Sequence, residues 1–278
     1  MIDQITDIVK KNWEKIPEAA RAGADPERIS VTKFHHGRAL SKSKVLFLVT
    51  SKDKLVCLVK AARTAEGNEK LRRERDAQVQ FGSTQLLKTP AVYFDGLING
   101  SFFYAEEVVD GRPLSLSEAQ SRESEIIAMI ASWPAEGTVS TSKIAEVFGS
   151  AMKEEDTDFK NLHNSLTNLN ANLKKGMTHG DFTRKNILKH AGGFYLVDWD
   201  RAFERPFWLL DAVHYLVRSR DIKNFEEWKE KGSPILIKEA LVDEPAVSAL
   251  YLAESLLELL YKRSPESYLR ALEGFSRL

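Results

Sequence analysis

The chain has 278 residues, 43% of them hydrophobic, enough for one large domain or two lobes around a sizeable core. Lys plus Arg and Asp plus Glu are equal at 40 each. That zero formal charge argues against a general nucleic-acid binder, though not against a local basic site. The one cysteine, Cys57 in "LVCLV", has no partner for an intrachain disulfide and reads as a small core residue.

Residues 2–20 are predicted as a helix, with Ile2, Ile5, Ile8, Val9 and Trp13 at helical spacing. The N-terminal stretch lacks a basic segment followed by an apolar one, so no secretion signal is expected. The longest uninterrupted apolar runs are about five residues, against roughly 20 for a membrane span. The expectation is a cytoplasmic protein with neither a membrane nor a nucleic-acid partner. The next section is β-rich. "KVLFLVT" and "KLVCLVKAA" flank the polar turn "SKDK", a hairpin pattern. "NEKLRRERDAQVQFG" reads as a charged helix closed by Gly82. "AVYFDGL" and "SFFYAEEVV" flank "ING", a second hairpin. Asn99-Gly100-Ser101 also matches a glycosylation sequon, but the turn is the simpler reading.

"VDGRPLSLS" reads as a connector, and helical patterns dominate after it. Ser117 with Gln120 is predicted as a capping box ahead of "EIIAMIASW". "DFKNLHNSLTNLNANLKKG" is predicted as a helix stopped by Gly176. "FWLLDAVHYLVRS", "FEEWKEK" and residues 245–275 are further predicted helices. The shift in composition predicts a small β-rich lobe, residues 1–109, and a larger helical lobe, residues 110–278, with the seam near Val108–Pro113.

The stretch Thr178–Asp200, "THGDFTRKNILKHAGGFYLVDWD", concentrates polar chemistry beside strand-like apolar runs. Asp181 and Asn186 are five residues apart, and Asp198 ends the run "GFYLV". An amide oxygen with a carboxylate is a hard-oxygen set that suits Mg²⁺ and phosphates, not zinc. A further carboxylate near such a metal can accept the proton of a hydroxyl nucleophile. That is the constellation phosphoryl transfer needs. Asp and Asn also favour turns for backbone reasons alone. His-Gly-Asp, then Asn five residues on, then a strand ending in Asp, is more specific than either motif alone.

"HGDFTRKNIL" and "LVDWDRA" resemble the two signature motifs of the aminoglycoside phosphotransferase and choline kinase family. The resemblance covers roughly residues 30–220. It implies an α+β, two-lobed protein-kinase-like fold and an ATP-dependent kinase of small hydroxyl acceptors: sugars, amino sugars, aminoglycosides or amino alcohols. It implies Asp181 as the catalytic carboxylate, Asn186 and Asp198 as Mg²⁺ ligands, and His179 as a structural support of the loop. Lys60, ending "LVCLVK", resembles the ATP-orienting lysine, with Glu74 as its helix partner and Glu69 as a competitor for that place. Backbone groups near Glu107 and Val108 would meet the adenine edge. Asp211 would brace the catalytic loop. Asp200 is left open between a metal-proximal carboxylate and an exposed turn residue. Arg184 and Lys185 could touch phosphate, but a solvated loop face is the simpler reading for both.

The phosphate-covering loop should lie in "FHHGRALSKSKVLF". It holds one glycine, Gly37, so Ser41 and Ser43 would donate hydroxyls where backbone N–H groups approach less closely. His35 and His36 read as loop residues. The alternative to an enzyme is a catalytically silent kinase-like module that binds nucleotide or a regulatory partner. The full set Lys60, Glu74, Asp181, Asn186 and Asp198 favours the enzyme. A protein kinase fits less well, because no lysine follows Asp181 by two residues and no activation segment separates Asp198 from the next helices.

Overall fold

The computed structural model describes residues 1–34, 43–82, 88–152, 156–191, 193–202 and 206–278. Ser41 and the other candidates in 35–42 lie outside the described residues. The chain forms two compact units. One comprises Met1–Arg112 with Ile187–Asp200, the other Pro113–Asn186 with Arg201–Leu278.

The first unit is built on an antiparallel five-stranded sheet of order β1-β2-β3-β5-β4. Its strands are β1 (Ile29–Phe34), β2 (Lys44–Ser51), β3 (Lys54–Ala62), β4 (Val92–Ile98) and β5 (Ser101–Glu106). Both predicted hairpins form. Each has a two-residue loop with positive φ at both positions, Lys52-Asp53 and Asn99-Gly100. That is the turn whose twist matches the flanking strands. Along β2 buried and half-buried residues alternate, as a sheet with two different faces requires. Val45, Phe47 and Val49 pack with Val59, Phe94 and Phe103 against Ile5, Val9 and Trp13 from the N-terminal segment. The opposite face carries Tyr104, Phe102 and Ala62 with Leu71 of helix α3 (Ala65–Gly82). The residues Ile187–His190 and Gly193–Leu196 add an antiparallel hairpin to this unit.

The predicted helix over 2–20 is corrected by the structure. It breaks into α1 (Ile2–Lys11), a short 3₁₀ turn at Trp13–Lys15, and α2 (Glu18–Arg21). Pro17 accounts for the stop ahead of α2. It disfavours the helical conformation at Ile16, which is extended at φ −77° and ψ 127°.

The second unit is mostly helical: α4 (Leu116–Ser121), α5 (Glu123–Ala131), α6 (Thr141–Ala151), α7 (Thr157–Thr167), α8 (Leu210–Ser219), α9 (Phe225–Lys231), α10 (Ser233–Ala240), α11 (Glu244–Arg263) and α12 (Pro265–Ser276). Two expectations are corrected. The helix predicted through Gly176 ends at Thr167, and Asn172–Gly176 is a strand paired with Ala135–Ser140. There Ala171 and Leu173 are buried while Asn172 and Lys174 are exposed, a two-residue period that the lysines and asparagines disguise. The capping box is made by Ser115 and Glu118, not Ser117 and Gln120. A glutamate reaches back to the cap N–H with a charged oxygen, a stronger acceptor than an amide. Among the described residues no helix is long and apolar enough to cross a membrane.

Candidate active site

In the first unit the site is assembled by strand register. Lys60 on β3 stands opposite Leu46 on β2 and Tyr104 on β5. Lys44, two residues before Leu46, is its diagonal neighbour on the same face. Helix α3 packs on that face and places Glu74 between the two lysines. Lys60 Nζ donates to Glu74 Oε1 at 2.6 Å and lies 2.9 Å from Glu106 Oε1. Lys44 Nζ donates to Glu74 Oε2 at 3.1 Å and to Asp198 Oδ1 at 3.0 Å, and lies 3.6 Å from Asp200 Oδ2. Gln78 adds an amide donor to Glu106 at 2.8 Å.

This is a row of alternating charges with its ionised states set by the pairing. Burial alone would raise the Glu74 carboxyl, but Lys44 and Lys60 outweigh it and hold it at about 2. Burial disfavours both ammonium groups. Their flanking carboxylates reverse that and raise both lysines. Glu106 goes the other way. Buried, with only Lys60 and the Gln78 amide against it and Glu74 nearby, its carboxyl is pushed up. Two lysines face four carboxylates, and the acidic excess lies at the more exposed end, Asp198 and Asp200. Asp198 holds a left-handed φ of 67°, a conformation an aspartate tolerates better than most residues.

After β5 the Glu107 N–H donates to the Ala91 carbonyl, and its carboxylate accepts from the Ala91 N–H and the Tyr195 hydroxyl. Val108 follows it in irregular backbone. Glu69, the competitor for Lys60, does not contact it. Glu74 takes that place.

In the second unit the loop at His179–Asp181 is held by its backbone. Asp211, fully buried on α8, accepts the N–H groups of both His179 and Gly180. Gly180 adopts φ +82°, and a Cβ there would lie 1.8 Å from the Arg201 carbonyl oxygen, so only glycine fits. Phe182, fully buried, packs edge-on to His179, Trp133 and Tyr215. The Asp181 side chain emerges from this frame 37% exposed. Its N–H meets His179 Nδ1 at 3.3 Å, which gives the buried His179 a structural task. Asn186 Nδ2 donates to the Asp181 carbonyl at 2.9 Å and to its carboxylate Oδ2 at 3.3 Å. With the nitrogen so engaged, the amide oxygen is the atom left to face a cation. Arg184 donates to the Leu114 carbonyl at 3.0 Å and so ties the loop to the chain before α4.

Burial would raise the Asp181 carboxyl, but His214, His179 and Arg201 hold it down at about 2. It is a carboxylate at neutral pH. Three of these site neighbours, Lys44, Glu106 and His214, were not singled out from the sequence. His214 follows Asp211 by three residues on a helix, which puts both on one face, and that signal was readable. Lys44 looked like one of several loop lysines in "SKSKV".

No family model matches the sequence, and no curated protein does. Solved structures do match its fold. A macrolide 2'-phosphotransferase from Brachybacterium faecium is 11% identical, with a TM-score of 0.58 over 99% of this chain and 97% of that one. An aminoglycoside phosphotransferase in ternary complex with ADP and hygromycin B is 14% identical, with a TM-score of 0.52 over 89% of this chain and 92% of that one. The choline kinase LicA from Streptococcus pneumoniae is 14% identical, with a TM-score of 0.51 over 96% of this chain and 99% of that one. The chain therefore has the protein-kinase-like fold that these structures share.

Proposed function

We propose that the chain is an ATP-dependent kinase that transfers the γ-phosphoryl group to a hydroxyl of a small molecule. The observation that carries this reading is the state of Asp181: an ionised, partly exposed carboxylate on a loop whose backbone is clamped by a buried aspartate. A general base has to be ionised, reachable and fixed, and Asp181 meets all three requirements. It accepts the proton of the attacking hydroxyl as that oxygen bonds to phosphorus and the bond to the leaving ADP oxygen breaks.

The other residues take the roles that phosphoryl transfer requires. Lys60, oriented by Glu74, neutralises nucleotide phosphates. The Glu107 carbonyl and the Val108 backbone meet the adenine edge, the Glu107 N–H being taken by Ala91. Asn186 through its amide oxygen and Asp198 through its carboxylate are the ligands for Mg²⁺. The donor set fits that ion, since both are hard oxygens and the carboxylates around Lys44 exceed the lysines. Magnesium, when bound, neutralises charge on the transferred group.

The matched structures are named for macrolide, aminoglycoside and choline phosphorylation, which supports an acceptor among sugars, amino sugars, aminoglycosides or amino alcohols. The test is ADP release by the purified chain with Mg²⁺, ATP and a panel of these acceptors. Acceptor-dependent release supports the kinase. Nucleotide binding with no release for any acceptor supports the silent module instead.

A further inference from the structure

The second unit contains a buried ionisable pair that the roles above leave unused. His214 on α8 and Glu254 on α11 are 2% and 3% exposed, and His214 Nδ1 lies 2.7 Å from Glu254 Oε1. The other ring nitrogen points back to the loop, with Nε2 3.6 Å from Asp181 Oδ1. Glu254 sits in the run "YLAESLLELL", among the buried residues Leu252, Ala253, Leu256 and Leu257. Packing α8 on α11 requires neither group. An apolar pair of similar volume would do it without the cost of desolvating a carboxylate.

The geometry explains what the pair accomplishes. Asp181 Oδ2 accepts from Asn186, while Oδ1 faces His214, so the carboxylate is held at both oxygens. A carboxylate oxygen therefore lies on each side of the ring, Glu254 Oε1 at Nδ1 and Asp181 Oδ1 toward Nε2. Glu254 fixes that ring in rotation. At 3.6 Å the contact with Asp181 is longer than a hydrogen bond, and such contacts are often long at sites without substrate. His179 and Arg201 act on Asp181 in the same sense as His214. Glu258 lies beside the pair, but Arg218 at 3.1 Å and Lys262 at 3.3 Å engage it from the surface.

We infer that His214, held by Glu254, is a positioning residue for the Asp181 carboxylate. It fixes the rotation of the carboxylate for the incoming hydroxyl. The inference rests on Asp181 being the base.

The test is steady-state turnover with Mg²⁺, ATP and a working acceptor, with thermal unfolding followed on each variant. His214→Phe keeps the ring volume and removes both nitrogens. Its kcat should fall roughly 10–100-fold, with KM for ATP and acceptor within about threefold of wild type. His214→Gln returns one N–H donor and should recover at least about fivefold of that loss. Glu254→Gln should lose activity in the same direction. In an Asp181→Asn background His214→Phe should change the residual rate by less than about twofold, because the group it positions is gone. A His214→Phe kcat within threefold of wild type overturns the inference. So does a full further loss in the Asp181→Asn background, which would mark a purely structural role. If His214→Phe does not fold, the Gln variants decide alone, and wild-type kcat in both overturns it. A wild type without acceptor-dependent ADP release overturns the kinase reading itself, and this inference with it.

Discussion

The Lys60 ammonium lies 2.6 Å from Glu74 Oε1, and the lysine and glutamate are 6% and 0% exposed. A strand lysine and a helix glutamate 14 residues apart meet because α3 packs on the sheet face from which Lys60 projects. If the pair serves one task, orienting the ammonium toward phosphates, the two residues act as a unit. Lys60→Ala should reduce ATP turnover strongly and Glu74→Ala less. The double variant should lose little beyond Lys60→Ala. Fully multiplicative losses in the three rate measurements would show that the residues act independently.

The pairing also sets an acid dependence. The Glu74 carboxyl is at about 2 in the folded chain, against about 4.3 in an unfolded one. A depressed carboxyl contributes stability that is complete above the unfolded value and is lost as pH falls through the folded one. The window is therefore roughly pH 4.3 to 2, and the contribution is on the order of 3 kcal/mol. Glu106, whose carboxyl is raised, contributes in the opposite sense, since its folded form takes up a proton first. Urea unfolding at pH 7, 5, 4 and 3 should show a shallower decline for Glu74→Gln than for wild type, and a steeper one for Glu106→Gln. Identical declines for all three chains would refute the assignment.

Lys44 supplies a prediction about metal. Its ammonium contacts both Asp198 and Asp200, the exposed acidic end of the row. A cation approaching Asp198 meets a charge already there. Lys44→Met should tighten Mg²⁺ binding by about 3–10-fold in calorimetry without nucleotide, consistent with roughly 1 kcal/mol of like-charge repulsion screened to the level of bulk water. Unchanged affinity would mean that Lys44 and the ion do not compete.

The loop clamp is a matter of stability. Asp211→Asn leaves one amide oxygen where a carboxylate accepted two backbone N–H groups, and it buries an NH₂ beside them. The loss should be about 2–3 kcal/mol, read as a lower urea midpoint. Gly180→Ala should cost at least as much, because its Cβ would strike the Arg201 carbonyl. Wild-type midpoints in both variants would remove the clamp from the account.

Legibility of the fold in the sequence follows how local each signal is. Both hairpins of the first unit were readable, because two-residue turns and flanking β-branched runs are neighbours in sequence. The motif loop was readable for the same reason: its glycine, aspartate and asparagine lie within seven residues, 180–186. The strand Asn172–Gly176 was not, because its partner Ala135–Ser140 lies more than thirty residues away and its own polar composition resembles a helix end. The capping box was placed two residues late for a simpler reason. Ser115 and Ser117 are both good caps, and only the reach of Glu118 separates them. Lys44 and Glu254 were missed because their meaning depends on partners far along the chain, at Asp198 and His214. A glutamate inside an apolar helical run was the available hint for Glu254. No sequence feature separated Lys44 from its neighbouring lysine.

The most direct measurement of the central claim is acceptor-dependent ADP release by wild type and Asp181→Asn, each with a separate measurement of ATP binding. The asparagine keeps the shape of the side chain and cannot take the proton, so release should fall roughly 10²–10⁴-fold while ATP still binds. Turnover within threefold of wild type would contradict the account.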